Sequence, residues 1–326
     1  MTDEQQTLLR NRRQFLAFLA TSVVLTPASR AFAQQLAASH DSVIASASDA
    51  LQIMDFEEAA RRVVPPAHWG YMASGTEDDL TLRANVEGFK HIQLRPRRLI
   101  DVSKPDLSTE VLGVRMPAPV LLGPVGVQKL AHPEGELASA RAASALGLTF
   151  VQSTQASHSI EEVAEASGDG SRWYQLYWPN DPELCESFLA RAKASGYTHL
   201  VLTLDTTLLG WRPRDLDRGY LPFLGAEGIA TYTSDPVFTS RLEKPWQEDP
   251  GAAGIQFASV FPNPGLSWDQ LPWLRERWDG PIVLKGIQHV DDARRARDHG
   301  VEGIVVSNHG GRQVDGAVAS LEMLPG

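Results

Sequence analysis

The sequence predicts an α/β chain built on a parallel sheet, of the (β/α)8 TIM-barrel type, with six of the eight βα units present. Three observations carry this expectation. Six short apolar runs recur, at 120–122, 149–152, 173–177, 200–204, 282–284 and 304–306. Ala-rich stretches of helical character lie between most of them, among them 134–146, 182–195 and 291–299, and strand alternating with helix means a parallel sheet. Each run also ends in small or polar residues, from Gly123–Gly126 to Ser307, Asn308 and His309, and barrel enzymes carry their chemistry where strands end.

Composition narrows the class. With 326 residues, 43% of them hydrophobic and 21% charged, the chain can bury a large core and shows no disordered or collagen-like bias. A formal charge of -10 argues against a nucleic-acid surface, which needs clustered Lys and Arg. The single cysteine, Cys185, cannot form an internal disulfide, and no Cys/His spacing resembles a zinc site. Redox chemistry would therefore use a borrowed organic cofactor.

In chain order, Arg12 and Arg13 open an apolar run to Leu25, and Ala31, Phe32 and Ala33 follow. Basic, apolar, then small-x-small is the order of an export signal, and the arginine pair makes residues 1–33 a twin-arginine-type leader to the periplasm. The run is shorter than the roughly 18 apolar residues of a membrane span. Residues 34–50, rich in Ala and Ser, read as a linker, and 51–326 as the barrel domain. Helices are expected over 53–64, ended by Pro65 and Pro66, and over 76–89. Between the fourth and fifth strands, 212–273 is too long for an ordinary crossover, and its Pro, Gly and aromatic content suits an ordered lid. Six strands would leave the first and sixth as open edges, where a closed barrel has none.

The last strand points to chemistry. Ile304, Val305 and Val306 form a β-branched run expected to be buried on both faces of the sheet. His309 and Arg312 would then stand over the barrel mouth, an imidazole able to take a proton beside a guanidinium able to grip a carboxylate. A glycine-rich turn with a solvated His and Arg is the alternative. Neither a dinucleotide-binding glycine fingerprint nor a P-loop follows a strand, which leaves a flat ring over the mouth as the cofactor shape.

Ser307–Gln313 with Asp315, Leu202–Asp205, Tyr174–Tyr177 and Leu284–Gly286 together resemble the FMN-dependent L-2-hydroxy acid oxidases and dehydrogenases, a family that includes glycolate oxidase, lactate oxidase and lactate 2-monooxygenase. The resemblance runs from about Ile53 to the last residue. Gly210–Leu216, Pro222–Leu224 and Ser234–Phe238 look most like lactate 2-monooxygenase, whereas Ala131–Glu136 is closer to glycolate oxidase.

The resemblance implies FMN as cofactor and a role for each matching residue. His309 would be the base and Asp205 its orienting carboxylate. Arg212 and Arg312 would hold the substrate carboxylate with the Tyr71 hydroxyl, and Tyr177 would contact the substrate hydroxyl. Lys285 would lie beside the flavin, Ser153, Gln175 and Thr203 along the ring edge, the Val125–Gly126 backbone against its face, and Ser307 also at the cofactor. Gln155 would face the substrate side chain. Relatives continue into two further βα units that hold the FMN phosphate, so the chain reads as an incomplete member. The activity implied is oxidation of a small L-2-hydroxy acid, L-lactate foremost, with oxygen reoxidising the flavin as in an oxidase or monooxygenase, by an assembly implied to be tetrameric. Alternatives are a dehydrogenase passing electrons to a quinone or cytochrome, an FMN barrel isomerase of the isopentenyl diphosphate type, and a non-catalytic remnant.

Overall fold

The computed structural model describes residues 43–325; the leader expected at 1–33 and most of the linker expected at 34–50 lie outside them. The chain divides into two units, Met1–Pro66 and Ala67–Gly326. In the first, the helix Asp55–Val63 carries Asp55, Glu57 and Glu58 in its first turn and Arg61 and Arg62 in its last. That order suits the helix dipole, and Glu58 takes both arginines, at 2.7 and 2.9 Å. Proline at 65 and 66 stops it near the expected boundary.

The second unit is organised around a sheet of six parallel strands in sequential order: β3 (Leu121–Leu122), β4 (Thr149–Ser153), β5 (Arg172–Leu176), β6 (Leu200–Thr203), β7 (Ile282–Ile287) and β8 (Gly303–Val306). All six expected runs are strands. Helices Gly135–Ala145, Ile160–Ser167, Pro182–Ala194 and Val290–Asp298 occupy the crossovers, the second and third started by the capping side chains of Ser159 and Asp181. Strand alternation sorts the apolar residues. Leu200, Leu202 and Leu284 face the large core beneath the helices, whereas Val151, Trp173, Val201 and Val283 face the other way and pack on each other. Before the sheet, β1 (Thr109–Val111) and β2 (Val114–Met116) form an antiparallel hairpin, whose Val111, Leu112 and Val114 cover that second layer.

One expectation is corrected. Ile304 and Val305 are 40% and 39% exposed rather than buried on both faces, because β8 is an edge strand with a neighbour, β7, on one side only.

The segment 212–273 is ordered, with much of its length exposed and several aromatic residues turned inward. It forms short helices, Pro213–Asp217, Ala230–Thr233 and Pro236–Thr239, then the longer Pro250–Val260 and Leu271–Arg277. Phe223, Tyr232, Phe238, Phe257 and Phe261 are buried, and Tyr232 meets Phe188 of the helix Pro182–Ala194 edge to face at 4.9 Å. Only its near end, at Arg212 and Phe223, lines the cavity described next.

Candidate active site

The same alternation builds the floor of the site. Ser153, Gln175, Thr203 and Lys285 each stand two residues beyond Val151, Trp173, Val201 and Val283 on their strands, so they share a face and form a polar layer above an apolar one. The ladder aligns them in pairs, Ser153 with Gln175 and Thr203 with Lys285. Ser153 Oγ donates to Gln175 Oε1 at 3.0 Å, and the same oxygen accepts the Thr154 amide at 3.3 Å. Gln175 Nε2 and Thr203 Oγ1 remain buried with no hydrogen-bond partner among the described residues. Two donors left unpaired at adjacent strand ends are costly unless something accepts from them.

After β8 the backbone turns through three consecutive left-handed residues, His309, Gly310 and Gly311, with φ of 57°, 67° and 74°. Glycine takes this conformation freely and histidine does not, so the turn is held from outside. Asn308 accepts the Gly311 amide at 3.2 Å and exchanges two amide hydrogen bonds of 2.8 Å with Asn85, while Ser307 Oγ accepts the His309 amide at 3.0 Å. The result sets the imidazole among four groups. Nδ1 lies 2.7 Å from Asp205 Oδ1, 3.0 Å from Thr206 Oγ1 and 3.5 Å from Lys285 Nζ, and Nε2 lies 3.2 Å from the Tyr177 hydroxyl.

Electrostatics assign the protons. Burial pushes the Tyr177 phenol well above its ordinary value, with Asp205 adding to the shift, so it stays protonated and donates to Nε2. The proton of neutral His309 then sits on Nδ1 and points at Asp205. Burial holds His309 below its ordinary value, against the upward pull of the Asp205 hydrogen bond, and the Lys285 charge lowers it further. Lys285 is itself lowered by burial, with Asp205 opposing at 3.9 Å.

Across the cavity, Arg212 and Arg312 both stack on Tyr71, their guanidinium carbons 5.2 and 5.1 Å from its ring centre. Arg312 Nη1 donates to the Ser74 carbonyl at 2.5 Å. Arg212 has Asp215 Oδ2 3.2 Å from Nη1 but off the hydrogen-bonding direction, and its Nε has no partner. Burial, and then the Arg212 charge, hold Arg312 below its ordinary value. Two guanidiniums side by side, Arg212 buried and Arg312 half-buried, call for an anion between them.

The cavity has a volume of about 750 Å³. Of the residues singled out in the sequence, Tyr71, Val125, Gly126, Tyr177, Arg212, Lys285, Ser307, His309 and Arg312 line it, as does Gln155. Asp205 stands behind His309. Ser153, Gln175 and Thr203 are buried and do not line the cavity wall. Sequence reasoning gave no role to Thr206 or Asn85, and noted Asn308 only as one of the polar residues ending the last strand. Thr206 follows Asp205 directly and was legible as another polar strand end, whereas the Asn85–Asn308 pair joins residues with no shared motif. Among the described residues, no cluster of His, Cys, Asp and Glu is suited to a metal ion. The residues fit a flat ring with carbonyl oxygens on one edge: Gln175 and Thr203 have hydrogen bonds to give, and Lys285 has a charge.

The family model for FMN-dependent dehydrogenases matches residues 60–326. The FMN-dependent alpha-hydroxy acid dehydrogenase qulF of Penicillium citrinum is 45% identical over 272 residues, 82% of this chain and 68% of that protein. An FMN-dependent alpha-hydroxy acid dehydrogenase of Schizosaccharomyces pombe is 47% identical over 265 residues, 78% and 65% of the two chains. An L-lactate oxidase of Lysinibacillus sphaericus is 41% identical over 271 residues, 83% and 69%. Among solved structures, mandelate oxidase with (S)-4-hydroxymandelic acid superposes with a TM-score of 0.74 at 36% identity, over 84% of this chain and 75% of that one. The chain spans 65–69% of the length of these three curated relatives.

Proposed function

The chain belongs to the FMN-dependent dehydrogenase family, and on that premise we propose that it oxidises a small L-2-hydroxy acid, L-lactate being the first to test, to the 2-oxo acid, with oxygen as the final acceptor. The observation that carries this reading is the His309 imidazole, held through Nδ1 by Asp205 at 2.7 Å and turned with Nε2 into a cavity that also holds Arg212 and Arg312.

The two guanidiniums bind the substrate carboxylate and so fix which face of the α-carbon meets His309. Nε2, the unprotonated nitrogen, takes the proton of the substrate hydroxyl as the α-hydrogen leaves with its electron pair, and the Tyr177 hydroxyl beside it steadies the same oxygen. As the imidazole becomes cationic, Asp205 stabilises it through Nδ1. FMN, when bound, would supply the two-electron acceptor for the hydrogen that leaves the α-carbon. Ser153, Gln175 and Thr203 would hold its ring edge, the Val125–Gly126 backbone its face, and the Lys285 ammonium would balance the negative charge it gains.

The test is anaerobic mixing of the FMN-loaded protein with L-lactate, D-lactate and L-lactamide. L-Lactate alone should bleach the flavin quickly, and His309→Gln should slow that by about 10²- to 10⁴-fold, the usual contribution of a general base. Near-normal bleaching in that variant would remove His309 from the role. Oxygen uptake with and without a quinone-like acceptor then separates an oxidase from a dehydrogenase, and pyruvate against acetate as product separates an oxidase from a monooxygenase.

A further inference from the structure

We propose that Thr76 is a positioning residue that sets the spacing of Arg212 and Arg312, and so how firmly the site holds a carboxylate, an inference that rests on those two guanidiniums being the carboxylate grip. The Thr76 amide donates to the Gly311 carbonyl at 2.9 Å, and its hydroxyl donates to the Trp211 carbonyl at 2.6 Å. Gly311 and Trp211 are the residues directly before Arg312 and Arg212. One residue therefore holds the backbone at the root of both arginines.

The arginines need such a tie. Arg212 follows β6 and Arg312 follows β8, with β7 between them, so their loops leave the sheet roughly 10 Å apart, two strand spacings. Their like charges push the side chains further apart until an anion arrives. Stacking on Tyr71 opposes this at the guanidiniums, and the Thr76 contacts oppose it at the backbone. A grip already set before the substrate enters spares binding the cost of setting it.

The turn that carries Thr76 is itself fastened. Asp79 Oδ1 accepts the Gly75 amide at 2.7 Å, and Asp79 Oδ2 pairs at 2.7 Å with Arg214, two residues beyond Arg212. The Glu77 amide also donates to the Trp211 carbonyl, at 2.9 Å, so removing the Thr76 hydroxyl leaves that acceptor satisfied. Thr76 is 1% exposed and lies outside the cavity lining. It acts through the arginines and not on the substrate.

Thr76→Val removes the hydroxyl at nearly constant shape. Two measurements on the FMN-loaded protein read the effect: calorimetric binding of pyruvate, which needs no turnover, and anaerobic flavin reduction by L-lactate. Pyruvate affinity should fall about three- to tenfold, the ratio an ordinary hydrogen bond corresponds to. Half-maximal reduction should need more L-lactate by the same factor, with the limiting rate little changed. Thr76→Ser should restore both. A residue that merely filled space would lower the limiting rate and gain nothing from serine. Unchanged pyruvate binding in Thr76→Val, a loss confined to the limiting rate, or Thr76→Ser as weak as Thr76→Val would overturn the proposal. Arg312→Lys in the same titration separates the two readings. If it binds pyruvate as wild type does, the grip is not at these arginines and the proposal falls with it; if it binds weakly while Thr76→Val does not, the grip stands and only Thr76 is wrong.

Discussion

Gly286 lies against Asp205 so closely that a β-carbon on it would stand 2.8 Å from both Asp205 Cβ and Cγ. Its backbone is also left-handed, with φ of 105°, a region that side chains rarely enter. The register between β7 and β8 breaks at this residue, between Lys285 and Ile287. One residue therefore ends the regular ladder, carries Lys285 into the site and leaves room for the carboxylate behind His309. Gly286→Ala should displace Asp205, with a loss in flavin-reduction rate of about 10²-fold, the usual cost of misplacing a catalytic group by an ångström. Stopped-flow reduction by L-lactate checks it, and a rate within twofold of wild type would show that the contact is slack.

The pH dependence follows from the causes acting on His309. Burial sets it below its ordinary value of 6.5, so the base stays neutral as pH falls through that value and is lost only lower. The acid-side inflection of flavin reduction should therefore lie below 6.5. Asp205 is the contribution that raises it, so Asp205→Asn should move the inflection further down while slowing the plateau, because the ring loses its orienting partner. An inflection above 6.5, or an upward shift in Asp205→Asn, would contradict this assignment.

Arg312 is half-buried, with its guanidinium stacked on Tyr71 and tied to the Ser74 carbonyl. Arg312→Lys keeps a cation but loses the planar fork, and burial would push a lysine there toward its neutral form. L-Lactate binding should weaken by tenfold or more, about 1.4 kcal/mol, measured as the concentration for half-maximal reduction. Unchanged affinity would show that no carboxylate is read at this position.

The arginine pair at Arg12 and Arg13 lies outside the described residues, and we propose it as an export signal on its sequence alone. Replacing both by lysine should hold the precursor in the cytoplasm, because the pair is read by a receptor and charge does not substitute for it. Fractionation followed by immunoblotting measures this; normal amounts of processed protein in the periplasm would exclude the twin-arginine route.

Local pattern was enough to find the six strands and most of the crossover helices, because a parallel sheet buried under helices demands continuous apolar runs at intervals set by the crossovers. It was not enough to find the β1–β2 hairpin. The strands are three residues each, and the turn uses Leu112 and Gly113, both left-handed at φ of 51° and 82°, where the usual Asn-Gly or Asp-Gly pair would have signalled it. Nor was it legible which aromatic residues of 212–273 are buried, since they follow no period that would mark an inward face.

By itself, then, the amino-acid sequence determined the order of strands, the polar residues at their ends and the placing of an imidazole and a guanidinium just past the last strand, since each depends on neighbours a few positions apart. Tertiary structure alone decided which strand ends meet. His309 finds Asp205 and Thr206 more than a hundred residues away because β7 lies between β6 and β8 in one continuous register, and the exposure of Ile304 and Val305 was decided the same way, by which strands lie beside β8. Such contacts depend on pairing across the sheet, and no local pattern encodes them.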